Sequence, residues 1–363
     1  MSEADSILGV SVIVPIFNPP LDRLERCLAS IAKQQPVVDE LILINDGSDS
    51  ETTVYLESYS REKEGVVVIN QENKGASAAR NTGVLFARAP YIMFVDGDDE
   101  LEEGALRQAL DVAREGNYDV VLGFSQKYHE NGQPYCPIPD QELNGKVCPL
   151  DPDDLVRYAL TGRTGNRDLC VRHDVLDVIS GGPVARLIKR SIATKTPFPE
   201  GIVVCEDTIW NVKLFQACAS AAVVKSCWYR YYQLRDSSIH RYRANSDVIA
   251  YESISALKET LNAEASTKYA REIECRFLGE LNRVAKNYLL QECDLPTGEK
   301  RRRIRRTYER VYADSSYRNR ITGKKGVVLS IKKALCRSGL NLDAFYLKNK
   351  LELVLQKIRG FGQ

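Results

Sequence analysis

Residues 91–100 read Tyr91-Ile-Met-Phe-Val-Asp-Gly-Asp-Asp-Glu100, an apolar run that leads directly into four carboxylates. Five consecutive apolar residues predict a buried strand. Carboxylates this close raise one another's pKa unless a cation lies between them. Hard oxygen ligands suit Mg²⁺ or Mn²⁺, which also bind substrate phosphates. Capping of a helix that begins near Leu101 is the alternative, and it accounts for one or two of the acids but not for Asp96.

The same alternation of short apolar runs and helical periodicity extends on both sides of this stretch. Strands are predicted at Val10–Ile16, Leu41–Ile44, Val66–Ile69, Tyr91–Val95 and Val120–Phe124, with a helix after each of the first four. Such βαβ units predict an α/β fold with a mixed, mainly parallel sheet that has helices on both faces. Ligands of these folds bind beyond the carboxyl ends of the strands.

Periodicity weakens over residues 125–182, where prolines are frequent. This segment is predicted as a loop-rich insertion on the acceptor side, with a short helix near Asp153–Leu160. Strands are predicted again at residues 184–188, 222–225 and 228–232, with a helix over residues 206–217 between them. Everything after Ser246 has helical periodicity, which predicts helices at residues 247–261, 268–291, 300–312, 327–338 and 341–359. We therefore expect a catalytic domain over residues 1–245 and a basic helical region over residues 246–363.

Charge is divided unevenly between the two ends of the chain. The 363 residues carry a formal net charge of +1. Residues 295–363 contain 18 Lys and Arg but only 5 Asp and Glu, a net +13, so residues 1–294 carry −12. A basic tail of this kind suggests contact with an anionic membrane or with nucleic acid. A helical bundle that packs against the catalytic domain and has a solvated charged face is an equal alternative to membrane contact. The chain contains no nucleic-acid recognition motif, which argues against nucleic acid as the partner.

The ten cysteines contain no Cys-x-x-Cys pair, so a zinc site of the usual spacing is not expected. The polar start after Met1 is unlike a secretory signal, and no run approaches the roughly 18 apolar residues of a membrane span. These features predict a cytoplasmic protein with reduced thiols. Any membrane contact would be peripheral, at the inner face.

Two further loops follow predicted strands. Asn45-Asp-Gly-Ser-Asp49 comes after the second strand, and by itself it is an ordinary Asp-Gly turn. Asn73-Lys-Gly-Ala-Ser-Ala-Ala-Arg-Asn-Thr-Gly83 comes after the third, where a glycine opens a helix toward a ligand. A plain amphipathic helix packed on the sheet is the alternative for this second loop.

Together with Ser11-Val-Ile-Val-Pro-Ile-Phe-Asn18 and Phe94-Val-Asp-Gly-Asp-Asp-Glu100, these loops closely resemble family-2 glycosyltransferases of the GT-A fold. The resemblance covers residues 8–245, including Glu206 and Asp207, and the order of the motifs makes it specific. It implies a GT-A catalytic domain that transfers a sugar from a nucleotide donor, usually a UDP-sugar, to a hydroxyl with inversion.

The resemblance also implies roles for individual residues. Asp46 of this chain matches the carboxylate that binds uracil in that family. Asp96 and Asp98 match the metal-binding DXD pair, with Asp98 on the Mn²⁺ or Mg²⁺ ion and Asp96 on the ribose or on the water shell of the metal. Asp99 would lie by the sugar. The remaining implied contacts of the nucleotide are Pro15, Phe17, Asn18, Lys74 and Arg80.

Asp207 matches the catalytic base of the family, and its position at the start of a helix helps to keep it ionised. Helix capping is the alternative for Glu206 and Asp207. One departure from the family is Asn45, where a second Asp is more usual, and it slightly weakens the implication of UDP. Further downstream, Arg235 or Arg241 is a candidate for the diphosphate and His240 for a third metal ligand, with a solvated loop as the alternative.

The processive synthases of this family carry a Gln-x-x-Arg-Trp motif, which this chain lacks, so a single addition is expected. The acceptor is expected to be a glycan or a lipid-linked oligosaccharide of surface-polysaccharide assembly. A transferase to a lipid-carrier phosphate, which needs no base, and a non-catalytic nucleotide-sugar-binding scaffold at the membrane remain alternatives. The sequence does not identify the sugar.

Overall fold

A computed structural model describes residues 9–135, 137–162, 179–233, 242–290 and 293–313. The chain divides into two compact units, one formed by residues 1–201 and 206–235 and the other by residues 202–205 and 236–363. The first unit therefore ends somewhat before the predicted boundary at residue 245, and the roles expected of the two parts stay predictions.

The first unit is built on a mixed sheet, which confirms the predicted α/β fold class. In the described residues its strands are β1 Val10–Ile16, β2 Val38–Asp46, β3 Val66–Gln71, β4 Tyr91–Phe94, β5 Glu100–Leu101, β6 Val120–Tyr128, β7 Val147–Leu150, β8 Arg186–Lys189 and β9 Ala221–Tyr232. They lie in the order β3-β2-β1-β4-β8-β6-β9-β5, with β7 beside β9. The first four strands are parallel, while β8 is antiparallel to both β4 and β6.

Helices cover this sheet because its central strands are apolar on both faces. Residues Val12, Ile13 and Val14 of β1 have no exposed surface. The helices of the unit are α1 Leu21–Ala32, α2 Ser50–Glu62, α3 Ala76–Phe86, α4 Ala105–Glu115, α5 Pro152–Thr161, α6 Arg190–Ala193 and α7 Glu206–Ala217. Helix α3 lies close to β1 at Gly83, where a Cβ would be 2.2 Å from Cγ2 of Ile13.

Three details differ from the sequence prediction. Within residues 125–182, the short helix predicted near residues 153–160 is present as α5, but the end of β6 and all of β7 are strands that were not predicted. The apolar runs at 222–225 and 228–232 belong to one strand, β9, because the backbone pairing with β6 continues through Cys227. The helix predicted at residues 268–291 is shorter, Ala270–Asn287, and a short helix that was not predicted, Ala263–Lys268, precedes it.

The second unit is helical in its described part. It contains α8 Ser246–Thr260, α9 Ala263–Lys268, α10 Ala270–Asn287 and α11 Thr297–Val311. Ala250, Val284 and Ile304 meet in its core, one from each of the three longer helices. The helices predicted at residues 327–338 and 341–359 lie outside the described residues. None of the helices within the described ranges has the length and apolar content that crossing a membrane requires.

Candidate active site

The candidate site lies where β1, β2 and β4 end, at one edge of the sheet. Ile16 is in register with Asn45 of β2, and Ile13 is in register with Phe94 of β4. Because these strands are parallel, the loops that follow them emerge on the same side. The motif residues after each strand are brought to a common edge in this way.

Asp96, Asp98 and Asp99 form a tight turn after β4, and β9 fixes this turn. The N–H of Asp99 donates to the carbonyl of Asp96 at 3.1 Å. The hydroxyl of Tyr229 accepts from the N–H of Asp96 at 3.0 Å and donates to Oδ2 of Asp99 at 2.9 Å. The N–H of Tyr232 donates to Oδ1 of Asp99 at 2.9 Å. Both oxygens of Asp99 are thus engaged with β9, and the residue is only 1% exposed.

This turn concentrates negative charge in a partly buried place. Burial and the charge of Asp96 raise the pKa of Asp98 to about 6. Burial, with Asp98 and Asp96, raises the pKa of Asp99 well above its ordinary value. The buried thiol of Cys27, which donates to the carbonyl of Asp96 at 3.5 Å, also has its pKa raised by burial and by these carboxylates. A cation at this place would relieve the repulsion.

Arg80 on α3 connects the turn to α7. Its Nη2 lies 2.7 Å from Oδ1 of Asp96, and its Nη1 lies 4.0 Å from Oδ1 of Asp207. Arg80 is 6% exposed, and its guanidinium lies over the ring of Phe198, 5.4 Å from the centroid. Burial opposes the charge of Arg80, but Asp96 and Asp207 outweigh it and raise its pKa.

Asp207 lies in the first turn of α7, and its side chain is 34% exposed. The neighbouring segment 180–182 is held by Arg186, which donates to the carbonyls of Ser180 at 2.8 Å and Gly182. A Cβ on Gly182 would lie 3.5 Å from Oδ2 of Asp207, so this backbone approaches the carboxylate closely. Burial lowers the pKa of Arg186 to about 10, against the opposing charge of Asp207.

Asp46 lies at the end of β2 and is only 3% exposed. Its Oδ1 accepts from Nε2 of Gln71 at 2.7 Å and from the N–H of Lys74 at 2.9 Å, and its Oδ2 accepts from the N–H of Gly75 at 2.8 Å. The carboxylate therefore shapes the loop between β3 and α3. Gly75 has φ 87°, a conformation that favours glycine.

The hydrogen bonds of residue 45 explain why it is an asparagine where the family usually has an aspartate. Its Nδ2 donates to Oδ1 of Asn70 at 2.8 Å and to Oγ1 of Thr53 at 3.0 Å, while its Oδ1 accepts from the N–H of Ser48 at 2.9 Å. A carboxylate could not supply the two donors. The departure from the family pattern thus belongs to the packing between β2 and β3.

Three of the remaining predicted contacts of the nucleotide, Pro15, Phe17 and Asn18, lie at the end of β1 and in the loop after it, and the fourth, Lys74, lies in the loop after β3. The side chain of Asn18 accepts from the N–H of Asp49 at 2.7 Å, which ties this loop to the one after β2. Phe17 is 55% exposed, unusual for a phenylalanine, and Lys74 is exposed while Pro15 is half-buried. An exposed aromatic ring beside a ligand edge is available for stacking.

Among the described residues, no cluster of three or more His, Cys, Asp or Glu side chains is arranged to hold a metal ion. Asp96 and Asp98 supply two carboxylates, which is the number that Mg²⁺ commonly takes from a protein when substrate phosphates complete its shell. The donor set therefore fits a hard cation that is shared with a phosphate ligand. His240, Arg235 and Arg241 lie outside the described residues.

Sequence reasoning missed two side chains that organise this site. The sequence places Tyr229 in a tyrosine-rich stretch and Arg186 at the start of a short apolar strand, and indicates no role for either in the site. A signal existed for Arg186, since an arginine at the start of an apolar strand needs buried partners. Nothing local could show that Tyr229 reaches Asp99, 130 residues away in the chain.

Residues 11–156 match the model of the family described as glycosyl transferase family 2. This part of the chain is a family 2 glycosyl transferase domain. The matched range contains Arg80 and the Asp96–Asp99 turn, whereas Asp207 lies beyond it.

Relatives and solved structures extend the likeness past the family 2 domain. The chain is 36% identical to EpsJ of Bacillus subtilis, named an uncharacterized glycosyltransferase, over 41% of this chain and 43% of EpsJ. It is 28% identical to YibD of Escherichia coli, named likewise, over 71% of this chain and 72% of YibD. The match to EpsJ thus spans less than half of that relative. The crystal structure of S. aureus TarS 1–349 with UDP-GlcNAc superposes with a TM-score of 0.65 at 18% identity, over 94% of this chain and 92% of the 1–349 chain, which confirms the GT-A fold.

Proposed function

We propose that the protein transfers a sugar from a nucleotide-sugar, a UDP-sugar, to a hydroxyl of a glycan or lipid-linked acceptor in surface-polysaccharide assembly. The observation that carries this proposal is the position of Arg80 between Asp96 and Asp207. One buried guanidinium links the carboxylate assigned to the donor side with the carboxylate assigned as base. The choice of nucleotide is supported by TarS, whose crystal structure of similar fold is a complex with UDP-GlcNAc.

In the proposed reaction Asp207 accepts the proton of the acceptor hydroxyl. The acceptor oxygen then forms a bond to the anomeric carbon while the bond from that carbon to the diphosphate oxygen breaks on the opposite face. The products are the elongated acceptor with an inverted anomeric centre and a nucleoside diphosphate. Direct displacement needs one base, and the partly exposed carboxylate of Asp207 is open to an incoming hydroxyl.

Asp96 and Asp98 are the residues that would hold Mn²⁺ or Mg²⁺. When bound, such an ion stabilises the negative charge that develops on the leaving diphosphate. Arg80 holds Asp96 in position, and Asp99 with Tyr229 keeps the turn anchored to β9. We therefore assign Asp99 to supporting the turn, in place of the sugar contact implied by the resemblance.

Uracil binding by Asp46 requires the base to share a carboxylate that already accepts three hydrogen bonds. We propose that Asp46 acts mainly through the loop of Lys74 and Gly75, so that the loop presents backbone groups to the nucleotide. Phe17, Pro15 and Asn18 complete this wall.

The basic region after residue 295 is proposed to add peripheral contact with an anionic membrane at its inner face. Its support is the net +13 charge together with the apolar periodicity of residues 324–335, which predicts an amphipathic helix. The apolar face of α11 is not part of this support, because Ile304 is buried in the core of the second unit. A helical bundle with a solvated charged face is the competing arrangement.

Substitution of Asp207 by Asn tests the base. Loss of a general base lowers kcat by about 10²–10⁴-fold while donor binding is retained. Glu206→Gln, one residue away in the same helical turn, is the matched control and should change kcat little. Turnover is measured with a panel of UDP-sugars and Mn²⁺, and donor binding by thermal stabilisation, which reaches about 2.7 kcal/mol at a ligand concentration of 100 Kd. Near-normal turnover of the Asn variant would contradict the base assignment and favour a phosphate acceptor.

A further inference from the structure

The second unit contains a cavity of about 430 Å³ that the proposed sugar transfer does not use. This volume lies in the range of about 300–1,000 Å³ that is typical of small-molecule sites. The loop 202–205, the start of α8 and the end of α10 enclose it. Its lining residues are Val204, Arg243, Ser246, Ile249, Ala250, Glu280, Arg283, Val284, Lys286, Asn287 and Leu290.

The inner wall of the cavity is apolar. Ile249, Ala250 and Val284 are buried side chains that belong to the packing between α8 and α10. Val204 and Leu290 add two partly buried aliphatic groups. A ligand would therefore place an apolar portion against this wall, and the surface that it removes from water would belong mainly to Val204 and Leu290.

The rim of the cavity is cationic. Arg243, Arg283 and Lys286 line it, and the last two are exposed. Glu280 is the one carboxylate among the described lining residues, and its Oε1 is shared by Arg283 at 3.0 Å and Arg276 at 3.1 Å. The positive charge at this rim thus exceeds the negative charge.

The start of helix α8 adds to the positive electrostatic potential at the rim. The 15-residue helix α8 begins at Ser246 in the wall of the cavity, and the residue before it, Asn245, makes no side-chain capping hydrogen bond. The start of a helix carries a partial positive charge that favours an anion. A buried apolar wall and a positive rim are the two complementary halves of a site for an anionic amphiphile.

We propose that this cavity binds a single-chain lipid phosphate, with the chain against Ile249, Ala250 and Val284 and the phosphate at Arg243, Arg283 and Lys286. A phosphate suits three cations better than a singly charged carboxylate does. Residues 314–363 are a poor alternative occupant, because they carry 11 Lys and Arg against 3 Asp and Glu and would bring like charge to the rim. The site lies within the second unit, so its occupancy does not depend on the chemistry proposed for Asp207.

The test uses the full chain and dodecyl phosphate, kept below its critical micelle concentration, in isothermal titration calorimetry. Dodecyl maltoside has the same chain without the charge, and inorganic phosphate has the charge without the chain. We expect one dodecyl phosphate per chain and at least about tenfold weaker binding of the other two compounds, since both halves contribute. Hydrogen–deuterium exchange should show protection in peptides that cover residues 246–250 and 283–290.

Two substitutions examine the two halves separately. Arg283→Gln should weaken dodecyl phosphate binding at least about tenfold through loss of a charge-assisted hydrogen bond. Arg271→Gln, an exposed arginine on the same helix outside the cavity, is the matched control and should change the affinity less than about twofold. Ala250→Phe should fill the inner wall and abolish binding, with far-UV circular dichroism used to verify that the chain still folds.

The proposal is overturned if the full chain does not bind dodecyl phosphate, or if dodecyl maltoside binds equally well. It is also overturned if Arg283→Gln and Arg271→Gln weaken binding alike, or if protection maps to other peptides. The Asp207→Asn variant should bind dodecyl phosphate as the unmodified chain does. Failure of this proposal is therefore distinguishable from failure of the proposed sugar transfer.

Discussion

The pairing of Arg80 with Asp96 gives a quantitative test of the site by itself, without a substrate. Arg80→Gln removes a charge-assisted hydrogen bond of 2.7 Å from a residue that is 6% exposed. Such bonds contribute about 1.5–3 kcal/mol. Breaking a fully buried ion pair costs about 3–5 kcal/mol, but the Asp96 side chain is 31% exposed and water can partly replace the lost partner. We therefore expect a loss of about 2 kcal/mol in the free energy of unfolding.

A double-mutant cycle isolates this pair. Asp96→Asn alone should cost less than Arg80→Gln, because it also relieves repulsion with Asp98 and Asp99. The double variant should cost about 1–2 kcal/mol less than the sum of the single changes. Arg26→Gln is the control, since this arginine is 45% exposed and 3.7 Å from Glu100, and it should cost under about 0.5 kcal/mol.

Urea unfolding followed by tryptophan fluorescence is the suitable assay. The two tryptophans of the chain, Trp210 and Trp228, are both buried in the first unit, so their emission reports that unit even if the second unfolds separately. Urea is uncharged and leaves ion pairs unscreened. If the losses of unfolding free energy in the two single variants add up to the loss in the double variant to within about 0.3–0.5 kcal/mol, the pairing of Arg80 with Asp96 is refuted.

Three further predictions concern packing, pH and the membrane. Gly83→Ala places a methyl group 2.2 Å from Cγ2 of Ile13 and should cost about 1–3 kcal/mol in the same urea assay. Burial opposes the negative charge of Asp119, but hydrogen bonds from Lys189 and the backbone outweigh burial and lower the pKa of this carboxyl from its ordinary value of 3.8. The folding stability that ionised Asp119 contributes is therefore present above pH 3.8 and is lost as the pH falls through the lowered pKa. Asp119→Asn should therefore unfold more easily at pH 7 and lose less stability on acidification. Neutralising four lysines should reduce flotation with anionic vesicles at least about tenfold, at about 1 kcal/mol per charge. They are Lys324, Lys325, Lys332 and Lys333.

Each of these predictions has a result that would contradict it. An unchanged urea midpoint for Gly83→Ala would mean that α3 does not approach β1 at the described distance. Parallel pH profiles for the Asp119 variant and the unmodified chain would show that the ion pair with Lys189 is not formed. Equal flotation of the neutralised and unmodified chains would leave the basic region to a bundle packed within the protein.

The strands and helices around the site were predictable because their signals are local. The apolar runs of β1 and β4 and the helical spacing in α1 are each read from fewer than about fifteen residues. The predictions erred where tertiary pairing overrides a local break. The backbone of β9 continues through Cys227 because β6 supplies its hydrogen bonds, although the apolar pattern is interrupted there.

The sequence by itself determined the strand–helix order, the fold class and the carboxylate turn, since parallel strands necessarily carry their following loops to one edge. Only the tertiary structure decided which carboxylates are held by hydrogen bonds or ion pairs with other groups of the protein. Asp46 and Asp99 are taken up by hydrogen bonds from distant backbone groups, while Asp96 and Asp207 are joined through Arg80. Acidic residues at neighbouring positions are alike in sequence, and only the partners that folding brings within hydrogen-bonding distance make one of them structural and another available to a ligand.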